Sequence, residues 1–132
     1  MITPTTPNIL EGFELFIPSH DPSSSVIRLT MSKTGCRLSK AALANLDFPD
    51  YVIAFFDYNK KRLMITKGEK NNRNIMKLSK QGNDRNTITL KGFIETMKKV
   101  CEIQDESAYF FHGFRPKTQQ PTLIFDLAKV MK

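Results

Sequence analysis

Apolar and polar residues alternate along much of the chain after its first 25 residues, in the pattern typical of half-buried β-strands. Residues 26–32 (VIRLTMS) alternate in this way, a Lys-Thr-Gly turn follows, and residues 36–38 return as a second short strand. Ser39 stands at the N-cap position of a short helix over residues 40–46, because the alanines and leucines that follow it favour helix. The pattern therefore predicts a β-hairpin followed by a helix.

A second hairpin is predicted over residues 51–57 and 62–66, and after it the same order of elements starts again. The second series is predicted as two strands, a helix and two strands over residues 75–82, 87–90, 92–100, 107–113 and 122–130. In its helix, Phe93, Met97 and Val100 are spaced to share one buried face.

The two series share a short piece of text at the first turn. Ser-Lys-x-Gly occurs at residues 32–35 and again at residues 79–82. Similar elements in the same order indicate an internal repeat. The sequence therefore predicts an α+β, mainly β, compact barrel over residues 26–132, made of two β-β-α-β-β repeats, 26–68 and 75–132.

The first 25 residues differ in composition from the rest. They hold four of the seven prolines and a serine run at residues 23–25. Residues 13–17 (FELFI) alternate as a short strand does, so residues 1–25 are predicted to form an N-terminal arm or an extra edge strand. The arm is acidic and partly apolar, which is compatible with binding a protein partner.

The repeat resembles the swapped-hairpin unit of the AbrB, MazE and SpoVT family of DNA-binding proteins. The likeness covers residues 27–66: a strand, the basic Ser-Lys-Thr-Gly turn, a return strand, a short helix and a final hairpin. Leu38-Ser39 stands where the family has an Ile-Pro step. The resemblance implies that two such units interleave into one barrel, and here a single chain would supply both as a pseudo-dimer.

Charge is spread unevenly along the chain, whose net charge is +7. Residues 26–94 carry fourteen Lys or Arg against five Asp or Glu, which gives +9, whereas residues 1–25 carry three acids and no base. A section this basic attracts anions. A polyanionic or phosphate-bearing partner is therefore expected, with a solubilising surface as the alternative interpretation.

The resemblance places the candidate site around the two glycine turns, on one face of the barrel. Arg37 and Arg85 are expected to reach base edges, where bidentate contacts with guanine carry sequence information. The lysines are expected to contact phosphates. The predicted nucleic-acid or phosphate-binding residues are Lys33, Gly35, Arg37, Lys40, Lys80, Gly82, Arg85 and Lys91.

Two other functions remain open at this stage. A small phosphorylated ligand, such as a nucleotide second messenger sequestered by a phage protein, would use the N–H groups of Gly35 and Gly82 and a stacking ring of Tyr51, Tyr58 or Phe114. An antitoxin-like protein would instead bind a protein partner through residues 1–25.

Enzyme chemistry is not expected from this sequence. Neither His20 nor His112 has a catalytic partner at a recognisable spacing. The aromatic residues are clustered in the predicted strands, which favours a core role for these aromatic side chains. Cys36 and Cys101 have no metal-ligand spacing, so free thiols in a reducing cytoplasm are expected. We predict no cofactor, no metal and no membrane partner, with the chain a monomeric pseudo-dimer or a homo-oligomer.

Overall fold

The computed structural model describes residues 12, 13 and 26–131. In this part of the chain, nine strands form one antiparallel sheet that curls into a nearly closed barrel. The prediction of a mainly β, barrel-like fold is confirmed at this level. The predicted arm, apart from Gly12 and Phe13, lies outside the described residues.

The first series of elements follows the predicted order. Its elements are β1 Arg28–Ser32, β2 Gly35–Leu38, α1 Lys40–Asn45, β3 Tyr51–Asp57 and β4 Arg62–Gly68. The second series comprises β5 Met76–Lys77, β6 Ser79–Gln81, β7 Asp84–Ile88, α2 Lys91–Cys101, β8 Tyr109–Phe114 and β9 Thr122–Asp126. The structure differs from the prediction over residues 75–82, where the single predicted strand is two short strands interrupted at Leu78.

Leu78 connects the two edge strands of the sheet, where the barrel nearly closes. The strand order is β5-β3-β4-β9-β8-β1-β2-β7-β6, so the two edge strands are separated in the chain by this one residue. Its backbone N–H donates to the Asp50 carbonyl oxygen at 2.9 Å. Arg85 Nη1 donates to the Leu78 carbonyl oxygen at 3.2 Å. The side chain of Leu78 is fully buried.

Strand pairing joins the two series at every step around the barrel that is not a hairpin. Within the described residues, β1 pairs with β8, β2 with β7, β3 with β5 and β4 with β9. Each of these pairs takes one strand from the first series and one from the second. The two series therefore close one shared sheet.

The two helices bury the faces that their sequences predict. Helix α2 buries Phe93, Met97 and Val100. Helix α1 is capped by Ser39, whose hydroxyl oxygen accepts from the Ala42 N–H at 3.3 Å. The same hydroxyl donates to the Val26 carbonyl at 2.7 Å, so the cap also fixes the start of β1. Among the described residues, no helix is long and apolar enough to cross a membrane.

Strand β8 lies between β1 and β9 in the sheet, and Gly113 is bonded on both sides. Tyr109 to His112 pair with β1, the Gly113 N–H donates to the Ile27 carbonyl oxygen at 2.9 Å, and Gly113 and Phe114 pair with β9 on the other edge. A Cβ atom at Gly113 would lie 2.7 Å from two carbons of the Phe125 ring and 3.0 Å from the Ile124 carbonyl oxygen. Only glycine lets β8 approach β9 this closely.

The buried thiol of Cys36 makes stability depend on pH in the alkaline range. Burial raises the pKa of the Cys36 thiol from 9.0 to about 12, and the neighbouring Cys101 adds to the rise. A raised pKa in the folded state favours the protonated thiol, so this stabilisation is complete below pH 9 and is lost as pH rises towards 12. The loss is at most about 1.4 kcal/mol per pH unit.

We therefore expect the free energy of unfolding to fall more steeply above pH 9 in the wild type than in Cys36→Ala. Urea titrations at pH 8, 9.5 and 10.5 measure this dependence, and the comparison cancels the titration of the other groups. Equal slopes in the two proteins would contradict a buried, protonated Cys36.

Candidate functional site

The turn between β1 and β2, with Gly35, and the turn between β6 and β7, with Gly82, lie at opposite ends of the sheet formed by these two hairpins. Strands β2 and β7 are antiparallel neighbours, with Arg37 opposite Thr87. The β1–β2 turn therefore points towards the start of α2, and the β6–β7 turn points the other way. This geometry distributes the predicted site residues over more than one surface.

One groove, of about 300 Å³, lies between the β1–β2 turn and α2. It brings together Lys33 and Lys91, which are both predicted site residues. Glu95 and Glu106 also line it, so its charge is mixed. Lys98 lines the groove as well, so three lysines face two carboxylates and the groove keeps a net positive charge.

A second groove, of about 260 Å³, lies on the outer face of β1, β2 and β7. Its lining includes Thr30, Ser32, Thr34, Arg37, Gln81 and Thr87. Within the described part of the chain no carboxylate lines this groove, and the exposed Arg37 side chain makes no hydrogen bond or ion pair. Hydroxyl groups and a guanidinium are groups that bind phosphate oxygens.

Arg28 extends this polar surface along β1 and towards β8. It is paired across the strands with His112, and its guanidinium carbon lies 5.4 Å from the centre of the Phe110 ring. The Phe110 and His112 rings are 6.1 Å apart. The His112 side chain is exposed.

We name the surface formed by Arg28, Thr30, Ser32, Thr34 and Arg37 the arginine face. Sequence reasoning included Arg37 and missed Arg28. The available signal was the alternation in β1, where Leu29 and Met31 are buried and the residues beside them point outwards.

Arg85 contacts the residues where the barrel closes and, among the described residues, makes no hydrogen bond or ion pair with the arginine face. Besides its bond to Leu78, its Nε lies 3.8 Å from a carboxylate oxygen of Asp50. Gly35 is buried, and a Cβ there would lie 2.8 Å from Thr87 Cγ2, so this glycine lets β2 and β7 approach each other. Lys40, Lys80 and Gly82 are exposed, and Gly82 has a positive φ of 71° in its turn.

An apolar row crosses the outer surface of β3, β4, β9 and β8. The register places Phe55 opposite Met64, Met64 opposite Ile124, and Ile124 opposite Phe114. The two phenylalanines at its ends are 48% and 54% exposed. The outer surface of the barrel thus has an apolar part and a polar, arginine-bearing part, and β8 contributes to both.

The rings proposed for the small-ligand alternative are not gathered in either groove. Tyr58 is exposed in the β3–β4 turn and stacks on Phe56 at 5.9 Å, and Tyr51 lies on β3. Residues 12, 13 and 26–131 contain no group of three or more His, Cys, Asp or Glu side chains placed to hold a metal ion.

Comparison with known proteins gives no match: neither a protein-family model nor a curated protein nor a solved structure is significantly similar to this chain.

Proposed function

We propose that the protein binds nucleic acid, and DNA in the first place, through the arginine face. The observation that carries this proposal is the combination of Arg28 and Arg37 with three hydroxyl side chains beside a groove that no described carboxylate lines. Guanidinium groups bind phosphates and guanine edges bidentately, and hydroxyl groups bind phosphate oxygens. A net charge of +7 adds general attraction to a polyanion.

The shape of the surface favours a polymer over a small phosphorylated ligand. The two grooves measure about 260 and 300 Å³ and lie on either side of Thr34. Pockets that enclose most of a ligand usually measure about 300–1,000 Å³, so the smaller groove falls below this range and the larger one lies at its lower limit. A nucleic-acid backbone can cross both grooves in succession, whereas neither groove gathers a phosphate site and a stacking ring for a mononucleotide.

The strand registers support an interleaved pair of swapped-hairpin units, the architecture of the DNA-binding family that the sequence resembles. The shared tetrapeptides give a shift of 47 residues, from Ser32 to Ser79. Aligning β3 with β8 gives a shift of 59 residues, from Phe55 to Phe114. Adding 47 to a β1 residue and subtracting 59 from its β8 partner gives the equivalent pair on β5 and β3. Leu29–Phe111 then corresponds to Met76–Val52, and Thr30–Phe110 to Lys77–Tyr51. All four pairings are observed.

Within this proposal the predicted site residues take different roles. Arg37, exposed and without a partner among the described residues, contacts a phosphate beside the second groove, and its predicted base contact stays a prediction. Lys33 and Lys91 contact phosphates at the adjoining groove. Arg85 stabilises the barrel closure, and we assign it no base contact. The resulting function is that of an AbrB-like regulatory DNA-binding protein.

A salt titration of binding to labelled duplex DNA tests the proposal. Four cations on phosphates (Arg28, Lys33, Arg37 and Lys91) give a log–log slope near −3.6, that is, about −0.9 for each contact. We expect Arg37→Ala to lower affinity about tenfold and to make the slope shallower by about one unit. Fluorescence anisotropy at four salt concentrations measures both quantities.

The matched control is Arg73→Ala, which removes the same charge from an exposed position in the loop between β4 and β5. It should change affinity by less than about twofold, as an exposed charge away from the contact does. Equal losses of DNA affinity in Arg37→Ala and Arg73→Ala would mean that binding depends only on the net charge of the protein and not on the arginine face. Absence of binding at low salt would remove the proposal.

A further inference from the structure

Strand β8 carries a line of outward rings that the arginine face does not use. Phe110, His112 and Phe114 alternate along the strand with the fully buried Phe111. His112 is exposed and Phe114 is 54% exposed. Side chains two residues apart on a strand are about 6.8 Å apart along it. The surface therefore offers successive ring positions in a straight line.

One side of this line adjoins the arginines. Strand β1 lies next to β8, with Arg28 beside His112 and its guanidinium over the Phe110 ring. Arg37 lies one strand further on, opposite Thr30. A chain of nucleotides following β8 would thus have cations beside its phosphates and rings beneath its bases.

We infer that this line binds single-stranded nucleic acid, with successive bases stacked on the rings of His112 and Phe114 and on the Arg28 guanidinium. The inference rests on the proposed function and names the form of nucleic acid that this surface prefers. Aromatic rings and guanidinium planes stack on unpaired bases of any sequence. The bases of a duplex are already stacked on one another and do not present their faces.

The spacing of the rings points to the same form. Stacked nucleotides advance by about 3.4 Å along a strand of B-DNA. A step of about 6.8 Å between ring positions is twice as long. Bases bound at neighbouring positions are therefore separated from each other and stack on protein instead.

The equivalent strand in the other half of the barrel provides an internal comparison. The shift of 59 residues relates Phe110, His112 and Phe114 to Tyr51, Ile53 and Phe55 on β3. There an aliphatic side chain replaces the histidine, and the shift of 47 residues puts Ile75 where Arg28 stands. Of these two described strands, only β8 combines two exposed rings with an arginine, so Phe55 serves as a control for Phe114.

The test compares a fifteen-nucleotide poly(dT) strand, an abasic strand of the same length and a duplex, each labelled, by anisotropy at low salt. Wild-type protein should bind poly(dT) at least about a hundredfold more tightly than the abasic strand, because the abasic strand loses stacking on both rings at once. Phe114→Ala and His112→Ala should each lower poly(dT) affinity about tenfold and leave duplex and abasic affinities within about twofold. Phe55→Ala, which removes a ring that is 48% exposed, should leave all three unchanged.

Other results separate this inference from the function on which it rests. If duplex binding depends on Arg37 but the ring variants bind poly(dT) like the wild type, the inference is wrong and the proposed function stands. If Phe114→Ala instead changes the oligomeric state in size-exclusion chromatography at unchanged poly(dT) affinity, Phe114 serves a protein contact and the inference is equally wrong. If neither the single strand nor the duplex binds, the proposed function is wrong and the inference that rests on it is wrong as well.

Discussion

Gly113→Ala is expected to lower the free energy of unfolding by about 1–3 kcal/mol, the cost of forcing extra volume into a packed site. The added Cβ would lie 2.7 Å from carbons of the Phe125 ring, a residue with no exposed surface, and 3.0 Å from the Ile124 carbonyl oxygen. Neither neighbour can move aside easily, because one is a core side chain and the other belongs to the β9 backbone. Relief requires β8 and β9 to separate at the pair formed by Gly113 and Phe125.

Urea unfolding followed by circular dichroism measures this loss, and Gly92→Ala is the matched control. Gly92 lies in the first turn of α2, and a Cβ there would meet no atom within 4 Å. Alanine is favoured over glycine in a helix, so this variant should be as stable as the wild type or up to about 1 kcal/mol more stable. A Gly113→Ala protein with the midpoint of Gly92→Ala would show that β8 and β9 are not packed as described.

Local patterns in the sequence predict most of the individual elements. The strand predicted over residues 51–57 is observed as Tyr51–Asp57, because alternation and the following turn define a hairpin without distant contacts. The helix α1 begins after Ser39 as predicted, since an N-cap depends only on the next three residues. The buried face of α2 follows from the spacing of its apolar residues.

The closure of the barrel could not be read in the same way. Residues 75–82 have the composition of one strand, yet Leu78 separates β5 from β6 and the two strands pair with different neighbours. That division depends on Asp50 and Arg85, which bind the Leu78 backbone from outside the segment. Arg85 was predicted to contact bases because its position beside a glycine turn is visible in the sequence, whereas its contact with Leu78 is not.

The arginine face illustrates the same division between local and distant information. The outward direction of Arg28 follows from the alternation in β1 alone. Its position next to Phe110 and His112 requires the pairing of β1 with β8, which are some 80 residues apart in the chain. Candidate chemistry was thus recognisable residue by residue, but the surface that combines it depends on pairing between the two series.

Leu78→Ala should destabilise the protein by about 2–5 kcal/mol, the range for truncating a fully buried leucine. The side chain has no exposed surface, and the Leu78 backbone is hydrogen-bonded to Asp50, just before β3, and to Arg85 on β7. A cavity at this residue weakens the connection between β5 and β6 before it affects the centre of the sheet. Amide hydrogen exchange should therefore increase more in β5 and β6 than in β4 and β9.

Leu90→Ala is the control, because Leu90 is 58% exposed and the same atoms are removed. Exposed truncations usually change stability by no more than about 0.5 kcal/mol. A similar midpoint for the two variants would mean that Leu78 does not fill the core. A large loss with uniform exchange across all strands would mean that the barrel opens as one unit, so the sheet would have no weaker edge at Leu78. Faster exchange confined to β5 and β6 would identify this junction as the place where the nearly closed sheet opens first.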